Sequence, residues 1–131
     1  MKDNIPTSAK VVVIGGGIAG CSVAYHLTEF GWNDIVLLER DQLTSGTTWH
    51  AAGLLGQVGA SATITKLRNY SLNLYKKLQE ETGIETGLKQ NGSLTVATDT
   101  DRLEELKRQA TFAQRFNIQV DEVNIDKITE F

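Results

Sequence analysis

Apolar and polar positions alternate along this chain in two distinct rhythms. Val11 to Ile14 is a short unbroken apolar run, and Ile35 to Leu38 is a second one. Runs of that length, all apolar and bounded by Gly, Asn and Asp, predict strands of a parallel sheet. Between them, Ile18 to about Phe30 follows a helical period and stops at Gly31. The order strand, helix, strand predicts a βαβ unit over Lys10 to Glu39. Downstream, Ser61 to Glu81 predicts a long helix with Ile64, Leu67, Leu74 and Leu78 on one face, ended by Gly83. Asn91-Gly92 lies between two short strand-like runs and predicts a hairpin over 87–97. Thr98-Asp99-Thr100-Asp101 caps a helix to about Phe116, with Leu103, Leu106, Ala110, Ala113 and Phe116 as its stripe and a Glu104–Arg108 pair outside. Gln119 to Val123 reads as a strand, and Asp126 to Phe131 as the start of another element.

The turn between the first strand and the first helix carries chemistry. Gly15-Gly16-Gly17-Ile18-Ala19-Gly20 is a G-x-G-x-x-G turn in the setting where that pattern binds a dinucleotide. Gly15 takes a backbone conformation that a side chain resists, Gly17 lets a diphosphate approach the main chain, and Gly20 lets helix and strand pack closely. The diphosphate rests on free N–H groups at the helix N-terminus. Glu39 follows Gly20 by 19 residues, at the end of the second strand. A carboxylate there accepts hydrogen bonds from ribose hydroxyls and repels a 2′-phosphate, so the residues point to FAD or NAD over NADP, with Arg40 softening the exclusion.

The next segment, 41–59, is rich in glycine and has no charged residue beyond Asp41. Small and hydroxylated residues at Thr44, Ser45, Gly46, Thr47 and Thr48 let backbone amides approach an anion or a ring system. A short helix starting near Thr47 aims a further N-terminus at the phosphates.

Composition changes the picture mainly by exclusion. The 131 residues carry a net charge of −3, and paired cations such as Lys76-Lys77 lie on helices beside acidic neighbours, which argues against a nucleic-acid partner. The single cysteine, Cys21, reads as a small residue packing the first helix on the sheet, and two histidines with one cysteine offer no spaced metal set. Met1 to Ala9 is a polar leader. Asp3, Asn4 and Pro6, with three consecutive glycines behind them, exclude a lipoprotein-type signal, and the stretch is too short to span a membrane. A cytoplasmic, reducing setting follows as the default expectation. The organisation predicted is a leader (1–9), a Rossmann-like unit with its cofactor-contacting loop (10–59), and continuing elements of an α/β fold (60–131). Two parallel strands do not complete a doubly wound sheet, so the chain reads as the N-terminal portion of a longer protein, completed by the rest of its own polypeptide or by a complementary chain.

Thr44-Ser45-Gly46-Thr47-Thr48-Trp49-His50-Ala51-Ala52-Gly53-Leu54, together with GGGIAGCSVAYHL, LLER and Asn91-Gly92-Ser93-Leu94, resembles the dimethylglycine and sarcosine dehydrogenase branch of the glycine/D-amino-acid oxidase (DAO) superfamily. The resemblance runs from Lys10 almost to the end of the chain. It implies a glutathione-reductase-type FAD domain, incomplete here, whose hairpin and helices lead into a substrate domain. It also implies oxidation of an N-methylated amine by hydride transfer, and a much longer polypeptide, often with a tetrahydrofolate-binding region. By position, Gly15, Gly17, Ile18, Ala19 and Gly20 would hold the FAD diphosphate, with Glu39 and Arg40 at the adenosine ribose. Ser45, Gly46, Thr47 and Thr48 would line the phosphate and ribityl run, and Ala52, Gly53 and Leu54 the flavin. His50 corresponds to the histidine joined covalently to the flavin. An electron-transfer flavoprotein is the implied acceptor. The catalytic base has no candidate in these residues. Two other readings stand beside this one: an NAD-dependent dehydrogenase, which the βαβ unit alone permits, and a non-catalytic regulatory relative that keeps the FAD fold.

Overall fold

The computed structural model describes residues 6–124 and 126–127, which fall into two compact units, 1–54 and 55–131. In the first, β1 (Val11–Ile14) pairs in parallel with β2 (Ile35–Leu38), in the register Val11↔Ile35 to Ile14↔Leu38. The crossover is α1 (Ile18–Glu29). All three elements lie where the apolar rhythm put them. Helix α1 closes by a Schellman arrangement: Trp32 N–H donates to Leu27 O (3.0 Å) and Gly31 N–H to Thr28 O (2.9 Å), with Gly31 at φ +84°. After β2 the chain folds into a loop ending in a 3-10 turn, Thr47–His50, the short helix expected near Thr47.

The second unit is built on α2 (Ala62–Thr82) and α3 (Thr100–Gln114). Ser61 Oγ accepts from Ile64 N–H (3.3 Å) and Asp99 Oδ1 from Arg102 N–H (2.8 Å), so both helices start on side-chain caps, that of α3 lying in the expected Thr98–Asp101 run. Gly83 ends α2. The last turn of α3 tightens, Phe116 N–H donating to Ala113 O (2.9 Å) and Asn117 N–H to Gln114 O (3.1 Å), so regular helix stops two residues before Phe116. Arg108 pairs with Glu105 (2.7 Å), while Glu104 takes Lys107 (3.3 Å).

Several expectations are corrected. Residues 87–97 and 119–123 form no strand ladder among the described residues. A two-stranded hairpin gains too little from its own ladder to hold without a third strand or a covering surface, and Leu94 and Val96 are exposed. The inward side of α2 is also rotated from the expected stripe. Ile64 and Leu67 are exposed, whereas Thr65 and Leu72 are buried. Thr65 turns inward because its hydroxyl accepts Gly59 N–H (3.0 Å), and Arg68 reaches the Val58 carbonyl. These contacts bind 58–59 to α2 within the unit 55–131. The reading of 126–131 as a new element falls largely outside the described residues.

In the first unit the helix and strand meet at Gly20. A Cβ there would overlap the Gly15 carbonyl oxygen, and Val13 Cγ1 is 3.4 Å away. The neighbour is backbone and cannot rotate aside. Gly20→Ala is therefore expected to lower the stability of the intact protein by about 1–3 kcal/mol, the usual range for overpacking. Denaturant unfolding checks this, and an unchanged midpoint would contradict the close crossing.

Candidate cofactor site

The site grows from the peptide of Gly16. Gly15 N–H donates to Leu38 O (2.8 Å), which carries the strand pairing into the turn, and Gly15 then takes φ +102°, a region closed to most side chains. This places Gly16, a buried residue, between two parts of the segment that follows β2. Its N–H donates to Glu39 Oε2 (2.6 Å) and its carbonyl accepts from Thr44 N–H (2.9 Å). A Cβ on Gly16 would stand 2.5 Å from Leu43 Cδ2 and 3.0 Å from Glu39 Cβ. Sequence reasoning passed over Gly16 as the variable position of the motif. The available signal was a glycine at the x position, the middle of three in a row, which marks a place with no room for a side chain.

Glu39, half-buried, is held from three directions. Besides Gly16, Arg40 N–H (2.8 Å) and Asp41 N–H (3.1 Å) both donate to its Oε1. These donors favour the ionised form, so the carboxyl lies below its ordinary value, with the Gly16 hydrogen bond the largest cause. Each carboxylate oxygen can accept more than one hydrogen bond, so the group remains able to take ribose hydroxyls. Arg40 is exposed and adds favourable charge beside Glu39.

The loop brings Thr48 to the start of α1. Ile18 N–H donates to Thr48 Oγ1 (2.9 Å), and a Cβ on Gly17 would come within 3.1 Å of that oxygen. Gly17 is the N-cap residue and supplies no side-chain cap, and the first turn has no acidic residue. Helix geometry leaves the N–H groups of Ala19 and Gly20 without intrahelical acceptors. Thr44, beside Gly16, has φ +66°, unusual for a β-branched residue. Ser45 turns away from the helix start, its hydroxyl donating to Gln42 O (2.8 Å) within the loop. Its part in the site is to shape the loop.

His50 ends the 3-10 turn, exposed, with Nδ1 3.1 Å from Gly46 O. A carbonyl only accepts, so in this contact Nδ1 is the donor. Ala51, Ala52, Gly53 and Leu54 follow as an exposed segment, as does Trp49 just before His50. The structure thus gathers Gly15, Gly17, Ile18, Ala19, Gly20, Glu39 and Thr48 around one helix start, with His50 two residues beyond Thr48. Among the described residues no group of three or more His, Cys, Asp or Glu side chains could hold a metal ion, and no helix is long and apolar enough to cross a membrane.

These residues fit the diphosphate and adenosine ribose of an adenine dinucleotide such as FAD. The helix start offers unengaged amides and no competing carboxylate, the glycine turn leaves the main chain open, and an ionised acid stands at the end of β2.

Comparison with known proteins agrees with that fit. The profile of the family described as DAO, FAD dependent oxidoreductase, matches residues 10–130. The chain is 45% identical over 116 residues to sarcosine dehydrogenase of Homo sapiens, covering 88% of this chain and 13% of that protein. It is 48% identical over 103 residues to dimethylglycine dehydrogenase of Homo sapiens, covering 79% and 12%. It is 50% identical over 104 residues to the pyruvate dehydrogenase phosphatase regulatory subunit of Mus musculus, again covering 79% and 12%. The chain therefore spans 12–13% of the length of these curated relatives. Among solved structures, glycine oxidase from Geobacillus kaustophilus matches with a TM-score of 0.73 and 26% identity, over 94% of this chain and 35% of that one.

The geometry at Glu39 sets a pH dependence. Its depressed folded value means that its contribution to stability is complete above the ordinary 4.5 and is lost as pH falls below it. Glu39→Gln should flatten that acid-side loss. Unfolding midpoints of the intact protein followed from neutral pH to below 4.5 test this, and parallel curves for variant and parent would contradict it.

Proposed function

Because the chain belongs to the DAO family of FAD dependent oxidoreductases, we propose that it is the N-terminal, FAD-binding portion of an amine dehydrogenase that oxidises N-methylated substrates of the sarcosine or dimethylglycine class. Membership in an FAD dependent family sets aside the NAD-dependent alternative. The observation that carries the reading is the ionised Glu39 carboxylate, 2.6 Å from the Gly16 amide at the start of the glycine turn. A carboxylate beside the glycine turn supports a reading in which Glu39 takes the ribose and the start of α1 the diphosphate.

Bound FAD supplies the acceptor for a hydride, that is, for two electrons and a proton leaving the substrate together. The amine is left as an iminium ion, and water converts this to formaldehyde and the demethylated amine. What this chain contributes is position. Gly17, Ala19 and Gly20 present backbone to the diphosphate, and Glu39 fixes the ribose. His50, at the end of the Thr47–His50 turn, would be the residue joined covalently to the flavin through a ring nitrogen. Residues that hold the substrate or take its proton belong to the rest of the polypeptide. An electron-transfer flavoprotein as acceptor, and tetrahydrofolate as recipient of the one-carbon unit, complete the proposal.

A second reading, a regulatory relative that keeps the FAD fold without turnover, draws on the 50% identity to a protein named as a regulatory subunit. One experiment separates the two. The intact protein is supplied with sarcosine or dimethylglycine and an artificial electron acceptor, and then precipitated with acid. Turnover with formaldehyde release, and flavin retained on the peptide containing His50, are expected. Flavin without turnover would favour the regulatory reading, and flavin left in the supernatant with an unmodified His50 peptide would overturn the covalent assignment.

A further inference from the structure

We propose that Asn91 is a site of spontaneous covalent modification in the folded chain, where ring closure by the Gly92 main-chain nitrogen yields a mixture of aspartyl and isoaspartyl linkages. The reaction needs neither flavin nor amine substrate.

Asn91 is the only asparagine of the 131 residues followed by glycine. Its side-chain carbonyl carbon and the Gly92 nitrogen can join in a five-membered ring, so closure requires only rotation about the Asn91 backbone and side chain. The tight hairpin turn that an Asn-Gly pair favours would hold both residues in the left-handed region. Here Gly92 stands at φ +74° but Asn91 lies outside that region, and 87–97 forms no strand ladder among the described residues. Among those residues no hydrogen bond engages the Asn91 side chain or the Gly92 N–H. Both residues are exposed, and nothing lies within 4 Å of where a Cβ on Gly92 would stand. The attacking nitrogen and the carbon it attacks are therefore open to water and unobstructed by neighbours. Two other exposed asparagines lack one of these conditions. Asn73 lies within α2, where the helix fixes its backbone and engages the Leu74 N–H. Asn33 lies outside regular structure but precedes Asp34, whose side chain crowds the nitrogen.

Hydroxide removes the Gly92 amide proton, and the nitrogen adds to Asn91 Cγ. The N–Cγ bond forms, the Cγ–Nδ2 bond breaks, and ammonia leaves with a proton taken from water. Water then opens the resulting succinimide at one of its two carbonyl carbons. Opening at Cγ leaves an ordinary aspartyl residue. Opening at the main-chain carbonyl leaves an isoaspartyl linkage, which lengthens the backbone by one carbon. No electrons are transferred, and water is the only co-reactant. Either product places a new carboxylate two residues from Lys89, in the segment between α2 and α3.

The test incubates the intact protein at mildly alkaline pH for days and compares its peptide masses with those of an unincubated sample. The peptide holding Asn91 should gain the mass difference between an amide and an acid at least about tenfold faster than those holding Asn73 or Asn33. The product should include a fraction that protein isoaspartyl methyltransferase labels, and conversion should slow at mildly acid pH, where less of the amide is deprotonated. Asn91→Gln, which would have to close a six-membered ring, should lose the fast conversion. Conversion at Asn91 no faster than at Asn73 would mean that the intact protein holds the pair apart, and would overturn the proposal. So would an aspartyl product without any isoaspartyl fraction, or a mass gain that persists at the same rate in Asn91→Gln.

Discussion

Both polar groups of the Gly16 peptide are taken by the segment that follows β2, and the rest of the site depends on that arrangement. The N–H goes to Glu39 at 2.6 Å and the carbonyl receives Thr44 N–H at 2.9 Å. A buried peptide unit must satisfy both groups, so the loop after β2 is bound to the turn after β1 by necessity. Once it is bound there, Thr48 reaches Ile18 and His50 follows at the next turn of the chain. The cofactor cradle is thus assembled by the protein's own hydrogen bonds. A site preformed in this way does not have to order its backbone when the ligand arrives, and that saving appears as affinity.

The four glycines of the motif answer to different constraints. Gly15 meets a dihedral requirement, with no neighbour near its missing side chain. Gly16 and Gly20 meet space requirements set by Leu43 and Glu39 on one side and by the Gly15 carbonyl on the other. Gly17 faces Thr48. One motif therefore encodes a turn, a helix–strand crossing and a contact with a distant loop. That density of constraints is why the pattern is informative in its full βαβ setting and weak as an isolated string.

Much of this was legible in the sequence, for reasons that differ by element. The bounds of β1, α1 and β2 follow from a continuous apolar run, a helical period and a glycine stop, each a local signal. The Asp99 cap and the short helix at Thr47 are local too. What escaped was set by distant partners. Thr65 is buried because Gly59 needs an acceptor, which no period in α2 reveals. The family resemblance set Ser45 along the phosphate and ribityl run, and no local signal shows that its hydroxyl donates to Gln42 O within its own loop. The residues around Asn91-Gly92 carry a hairpin signal whose realisation depends on a surface that these residues do not provide. Gly16 sits in the motif as an x position, and its clamp becomes visible only when Glu39 and Thr44 are placed in space.

The central claim is that main-chain amides at the start of α1 hold a diphosphate whose ribose meets Glu39 and whose flavin lies beside His50. A crystal structure of the intact protein with its flavin tests this most directly. The account predicts diphosphate oxygens on the amides of Ala19 and Gly20, the adenosine ribose on the Glu39 carboxylate, and the dimethylbenzene edge of the ring at His50. A dinucleotide bound elsewhere, or a helix start still covered by the protein's own side chains under saturating FAD, would contradict it.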